Sequence, residues 1–108
     1  MILLSCNSNN EKYKPLNLRN YERELDISFD GIVLNKFRHI DNHYRRKITI
    51  TEGPLVFDYE LEFYLSTCWD VILIGDSVVK HKNSKTVFIW RNGEKDTCAM
   101  TEYIPPEL

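Results

Sequence analysis

Basic and aromatic residues interleave over one stretch of the chain, from Lys36, Phe37, Arg38 and His39 through His43 and Tyr44 to Arg45, Arg46 and Lys47, with Asp41 as its sole acid. Cations set beside aromatic rings are the chemistry of anionic-polymer binding, where charge holds phosphate or carboxylate and the ring face takes a base. A second cationic group, Lys80, Lys82 and Lys85 with His81 between them, follows later. If the loop after the first strand and the loop between two late strands flank one ligand face, as in an OB-type barrel, the two groups converge on it. The plainer reading makes both groups solvated hairpin tips, whose Lys and Arg blunt the sheet edges. A formal charge of −2, from 14 Lys and Arg against 16 Asp and Glu, exerts no overall pull toward a polyanion and favours that plainer reading.

Other chemistries find less. His39 and His43 stand four apart, which aligns them only on a helix, and this stretch reads as a connection between strands with no third ligand beside it. Cys68 and Cys98 form no CxxC and have no activating base beside them, so neither nucleophilic nor redox work is indicated. Asp58, Glu60 and Glu62 alternate as the polar side of an amphipathic strand, and Ser77 sits in a turn without a base. Trp69 and Trp90 read as packing residues; both would have to share one concave face to make a sugar platform. No catalytic residue, cofactor or metal is assigned, and the expectation is a protein that is not an enzyme.

Leu3-Leu4-Ser5-Cys6, followed at once by Asn7-Ser8-Asn9-Asn10, resembles the lipobox of bacterial lipoproteins. That resemblance implies that Cys6 carries the lipid, that residues 1–6 are a signal-peptide remnant and that residues 7–20 are a flexible tether. The alternative is an ordinary thiol on an apolar N-terminus. Together with the Gly75-Asp76-Ser77-Val78-Val79-Lys80 hairpin segment, the lipobox is similar to small Bacteroidota lipoproteins. This kinship implies a place in the cell envelope, on an outer membrane and facing the periplasm, because no acidic cluster follows Cys6. With Cys6 lipidated, Cys68 and Cys98 remain as an even pair that an oxidising compartment could join.

The elements that must position these residues are β. A chain of 108 residues with 43% hydrophobic content suits one domain, here residues 21–108, burying roughly 60–70% of its unfolded surface. Asp26 to Phe37 alternates, with Gly31 where the parity is disputed, which predicts a bulge or bend. Lys47 to Thr51 alternates toward Ile48 and Ile50, and Glu52-Gly53-Pro54 turns the chain. From Leu55 every second residue is apolar or aromatic, predicting a half-buried strand to Leu61 with Leu55, Phe57, Tyr59 and Leu61 inward. Residues 63–72 are expected to coil into one or two helical turns that plug an end of the barrel. Gly75-Asp76-Ser77 launches a strand to Lys80, residues 81–85 make a loop, and Thr86 to Arg91 is a β-branched and aromatic run. Asn92-Gly93 marks a type I′ hairpin into a last strand near residues 95–103. Tyr21 to Leu25 fits a helical turn or a lead-in strand equally.

The fold class read from this is all-β, or β with one short helix: a small antiparallel barrel, OB-like or SH3-like, since strands, a short helical segment and then a hairpin is similar to OB element order. The functional expectation is a non-enzymatic envelope lipoprotein, held to the membrane through Cys6, whose β-domain binds a protein or glycan partner, with an exposed sheet edge able to accept a strand. Nucleic acid is not the expected partner. The alternative is an OB-like binder of single-stranded nucleic acid or another anionic polymer through loops 36–47 and 80–85.

Overall fold

The computed structural model describes residues 15–39 and 44–105. Cys6, expected to carry the lipid, the first part of the expected tether, and Asp41 and His43 lie outside the described residues.

The architecture is organised by β1 (Phe29–His39), the strand long enough to serve two neighbours. Its first residues, Phe29 to Ile32, pair with β4 (Ser77–Lys80), and Ile32 to His39 pair with β2 (Arg45–Glu52). Two features let it bend between them. At Gly31 a Cβ would overlap the Thr51 carbonyl oxygen and press on the Ile50 side chain, so only glycine lets the two backbones approach this closely. At Leu34 the register slips: Val33 faces Ile50 while Asn35 faces Thr49, a bulge that leaves Leu34 unpaired. The expected irregularity is therefore divided between Gly31 and Leu34.

Around β1 the chain forms one six-stranded antiparallel sheet in the order β3-β2-β1-β4-β5-β6, with β3 (Leu55–Glu60), β5 (Thr86–Arg91) and β6 (Glu94–Ala99). Each half is a meander joined by tight turns. Asn92 and Gly93, at φ 54 and 78, make the β5–β6 turn, the pair of positive φ values that a type I′ hairpin needs. Gly53, at φ 61, and Pro54 connect β2 to β3. The sheet curls enough for the Phe29 and Tyr59 rings to meet at 5.3 Å, although β2 separates their strands in the ladder. It does not close. β3 and β6 remain as edges, so the ladder is an open sheet where a barrel was expected.

Helices cover what the curl leaves open. α2 (Ser66–Val71) falls inside the expected helical segment and packs against β2 and β6, with Leu65, Cys68 and Ile72 fully buried beside Ile48, Ile50, Val78, Val87 and Ile89. α1 (Leu16–Asp26) departs from expectation, because residues 16–20 were read as tether and are its opening turns. Leu, Arg and Glu in this segment are good helix formers. Asn20 and Glu24, four apart, face inward, while Tyr21 and Leu25 pack on the core. Among the described residues no helix is long and apolar enough to cross a membrane.

Candidate functional site

The first basic group gathers around one indole. Lys36 and Arg38 on β1 and Arg46 on β2 approach the Trp69 ring with their cationic groups 4.4, 5.6 and 6.0 Å from its centroid, and Trp69 Nε1 donates to the Lys47 carbonyl. The bulge at Leu34 produces this arrangement: it inverts the parity of β1, so Lys36 faces the side of buried Ile48. Carboxylates already answer much of the charge. Arg46 pairs with Glu62 at 3.0 Å, and Arg45 pairs with Glu60 at 3.1 Å while its guanidinium lies over Phe63.

The second group stands at the other end of β1, where Lys80 is opposite Phe29, whereas Arg38 is opposite Arg46. The register therefore separates the two groups along the strand. Lys80 is 1% exposed, and its Nζ donates to the Leu25, Ile27 and His81 carbonyls, capping the C-terminus of α1. Burial pushes its ammonium below the ordinary lysine value, with Asp26 and Glu24 opposing the shift. Lys82 pairs with Asp26 at 3.3 Å and Lys85 with Glu102 at 2.9 Å.

The remaining candidates also find structural partners. Asp58 accepts the Thr49 hydroxyl at 2.6 Å, and His81 is exposed in the β4–β5 loop. Among the described residues no group of His, Cys, Asp and Glu side chains is arranged to hold a metal ion. Trp69 lies at α2 under the inner side of β2, while Trp90 is on the outer side of β5 beside Phe88 under Lys95, so the two indoles share no concave face. Cys68 and Cys98 are joined as a disulfide, with Cα atoms 5.5 Å apart, tying α2 to β6.

Two carboxylates emerge whose partners the sequence does not reveal. Glu24 is fully buried, and its two oxygens accept the backbone N–H groups of Glu62, Phe63, Tyr64 and Leu65 at 2.6 to 3.1 Å. It thus satisfies, from another element, the donors of the segment that leads into α2. Asp76 accepts Arg91 through both oxygens, at 2.8 and 2.7 Å, and the Leu73 N–H at 2.8 Å. The Arg91 guanidinium, with the Leu73 N–H, holds its carboxyl below the usual range against the opposing effect of burial.

After these, the largest unanswered feature is the β3 edge. Leu55, Val56 and Phe57 are 56%, 57% and 41% exposed, on both faces of the strand, where the alternation had placed Leu55 and Phe57 inside. Parity is as read, since Leu55, Phe57 and Tyr59 stand opposite Glu52, Ile50 and Ile48, but the hairpin runs beyond the core and only Leu61 is sealed. The Leu61 N–H donates to the Arg46 carbonyl. Main-chain groups alternate between a strand's two edges, so Leu55, Phe57 and Tyr59 direct theirs at β2, and Val56, Asp58 and Glu60 present theirs on the free edge. The opposite edge, β6, is guarded by Glu94, Lys95 and Asp96.

Over the described residues the molecule is an open antiparallel sheet with two covering helices and an edge that is apolar and exposed from Leu55 to Phe57 and charged at Asp58 and Glu60. No family model matches the chain, and neither a curated protein nor a solved structure is significantly similar to it.

Proposed function

We propose that the protein is a non-enzymatic lipoprotein of the cell envelope: a lipid on Cys6 anchors it, the Asn-rich segment spans, and the sheet takes a protein partner by strand addition at β3. The observation that carries the partner reading is the edge itself, whose main-chain groups have no pairing strand among the described residues and are flanked by apolar side chains at 41% to 57% exposure. The lipobox-like Leu3-Leu4-Ser5-Cys6 supports the address, and a Cys68–Cys98 disulfide suits an oxidising compartment. The finer OB-like architecture is supported by three strands, a short helix and a hairpin in that order, with a bulged first strand shared between two neighbours.

The anchor is tested by labelling with radioactive palmitate in the native host, which Cys6→Ala should abolish; labelling that persists in that variant overturns it. The edge is tested by placing a photoactivatable residue at position 57 or at position 95 in the host. A discrete adduct from 57 and none from 95 is expected. Equal adducts, or none from 57, overturn strand addition. The anionic-polymer alternative draws on the Lys36, Arg38 and Arg46 cluster at Trp69. It requires single-stranded DNA binding that weakens steeply with salt and with Arg45→Ala plus Arg46→Ala.

A further inference from the structure

We propose that Lys36, Arg38 and Arg46 form a binding site for a single dianionic phosphate group. The ladder sets like charges face to face: Arg38 on β1 stands directly opposite Arg46 on β2, and Lys36, two residues from Arg38, lies on the same side and diagonal to Arg46. Such an arrangement costs stability unless something negative answers it. Trp69 gathers the three cationic groups at 4.4, 5.6 and 6.0 Å from its ring centroid, so they are held together in advance of any ligand.

Charge balance names the ligand. Glu62 accepts from both the guanidinium and the backbone N–H of Arg46, at 3.0 and 2.6 Å, and so answers one of the three charges. Lys36 and Arg38 have no carboxylate of the described residues within ion-pair distance; the Lys36 ammonium donates to the Asp70 carbonyl at 3.4 Å. Asp76 senses Lys36, but both of its oxygens are taken by Arg91. Three cations less the one that Glu62 answers leave a surplus of two. A phosphate monoester, at about −1.5 to −2 near neutral pH, matches that surplus, whereas a singly charged carboxylate or phosphodiester meets half of it. The Arg38 guanidinium offers a planar fork to two phosphate oxygens, and Lys36 a point charge to the third. Strand addition at β3 plays no part in this site. It also differs from the polymer alternative, since Lys80, Lys82 and Lys85 lie toward the other end of β1 with partners of their own.

The test uses the full chain carrying Cys6→Ala, with inorganic phosphate as the probe above neutral pH, where it is a dianion. Nitrogen-15 NMR gives one indole N–H signal for each of the 2 tryptophans, and Trp90→Phe assigns them. Phosphate should shift the Trp69 signal along a saturable curve with a Kd of about 1 mM or below, beyond what sodium chloride does at equal ionic strength, and leave Trp90 still. Arg38→Gln should raise that Kd about tenfold, and Lys82→Gln should leave it unchanged. Because Arg38→Gln also ends the opposition to Arg46, its melting temperature in phosphate-free buffer should equal or exceed the native one. Dimethyl phosphate, singly charged, should bind about tenfold more weakly than phosphate. A Trp69 shift no larger than that from sodium chloride overturns the site, as does one that survives Arg38→Gln; a melting temperature lowered by that variant with Kd unchanged makes the cluster packing around Trp69. Equal binding of dimethyl phosphate overturns the dianion, and tighter binding of an oligodeoxynucleotide without a terminal phosphate replaces the single-group site with the polymer alternative. Flotation with phosphatidylcholine vesicles, with and without phosphatidic acid, identifies the source. Binding that needs both phosphatidic acid and Arg38 assigns the phosphate to a lipid headgroup, and a phosphate shift without vesicle binding assigns it to a soluble ester.

Discussion

Glu24 shows what a single buried carboxylate can do for a short helix. α2 spans Ser66–Val71 and makes no side-chain cap of its own, yet the N–H groups of the four residues that lead into it, Glu62 to Leu65, all end on Glu24. Glu24→Ala leaves those donors buried without a partner, and urea titration should show a loss of about 3 kcal/mol or more. Glu24→Gln keeps one acceptor oxygen but turns an NH2 toward donors, so it should fall between; a silent Glu24→Gln would mean that water takes the place of the lost oxygen. Asp76 offers a test in pH. Its native pKa lies below the unfolded value of about 3.9, so its stabilising contribution is complete above that value and disappears as pH falls through the lower native one. The stability gap between the native protein and Asp76→Asn should therefore be wide at neutral pH and close on acidification. A gap independent of pH would assign the role of Asp76 to shape alone. Neither role is legible locally: Asp76 reads as a turn residue, but Arg91 lies 15 positions away, and the groups that Glu24 satisfies lie 38 to 41 away.

Elements were legible where their determinants are local. The β5–β6 hairpin follows from Asn92-Gly93, and the helical segment before Gly75 from a run, residues 63–72, that holds no turn residue. α1 was obscured because the Asn, Lys and Ser composition of residues 7–20 reads as tether, and its opening turns, with Asn17 and Asn20, continue the Asn of that stretch. What holds it is tertiary: Lys80 and the Asn83 N–H both reach its last carbonyls. Lys80→Met should orphan those oxygens, cost about 1 to 3 kcal/mol and speed hydrogen exchange in α1 ahead of the sheet; uniform acceleration would show that the lysine supports the core as a whole. The disulfide acts between elements as well. It closes a loop of 30 residues, and the chain-entropy estimate for such a loop is about 3.6 kcal/mol. Reduction should lower the denaturation free energy by that order, leaving the β1–β2 ladder formed at mild denaturant. No loss on reduction would mean that the core holds α2 against β6 unaided.

At the scale of the whole molecule the question is why the β6 edge carries charge from its first residues while the β3 edge carries none before Asp58. Alternation told correctly which residues share a side of β3, but sharing a side is not being covered, and coverage depends on how far the neighbouring core extends. Likewise the two basic groups looked adjacent in purpose, yet β1 is long enough to hold them apart. Lys95 lies over Phe88 and Trp90 on β6, where a charge discourages added strands; β3 has nothing equivalent at Leu55, Val56 or Phe57. Supplying the missing guard should separate folding from association. Val56→Lys replaces an exposed side chain on a residue whose main chain faces outward, so its unfolding free energy should stay within about 0.5 kcal/mol of the native value. The discrete adduct that a photoactivatable residue at position 57 gives in the host should nevertheless be lost. A guard placed on the already charged edge, Thr97→Lys, should leave that adduct unchanged. If Val56→Lys gives the adduct as the native chain does, the exposed apolar residues of β3 are inert surface. If it unfolds instead, Val56 is held by packing that its exposure does not disclose, and the edge belongs to the folding of the hairpin.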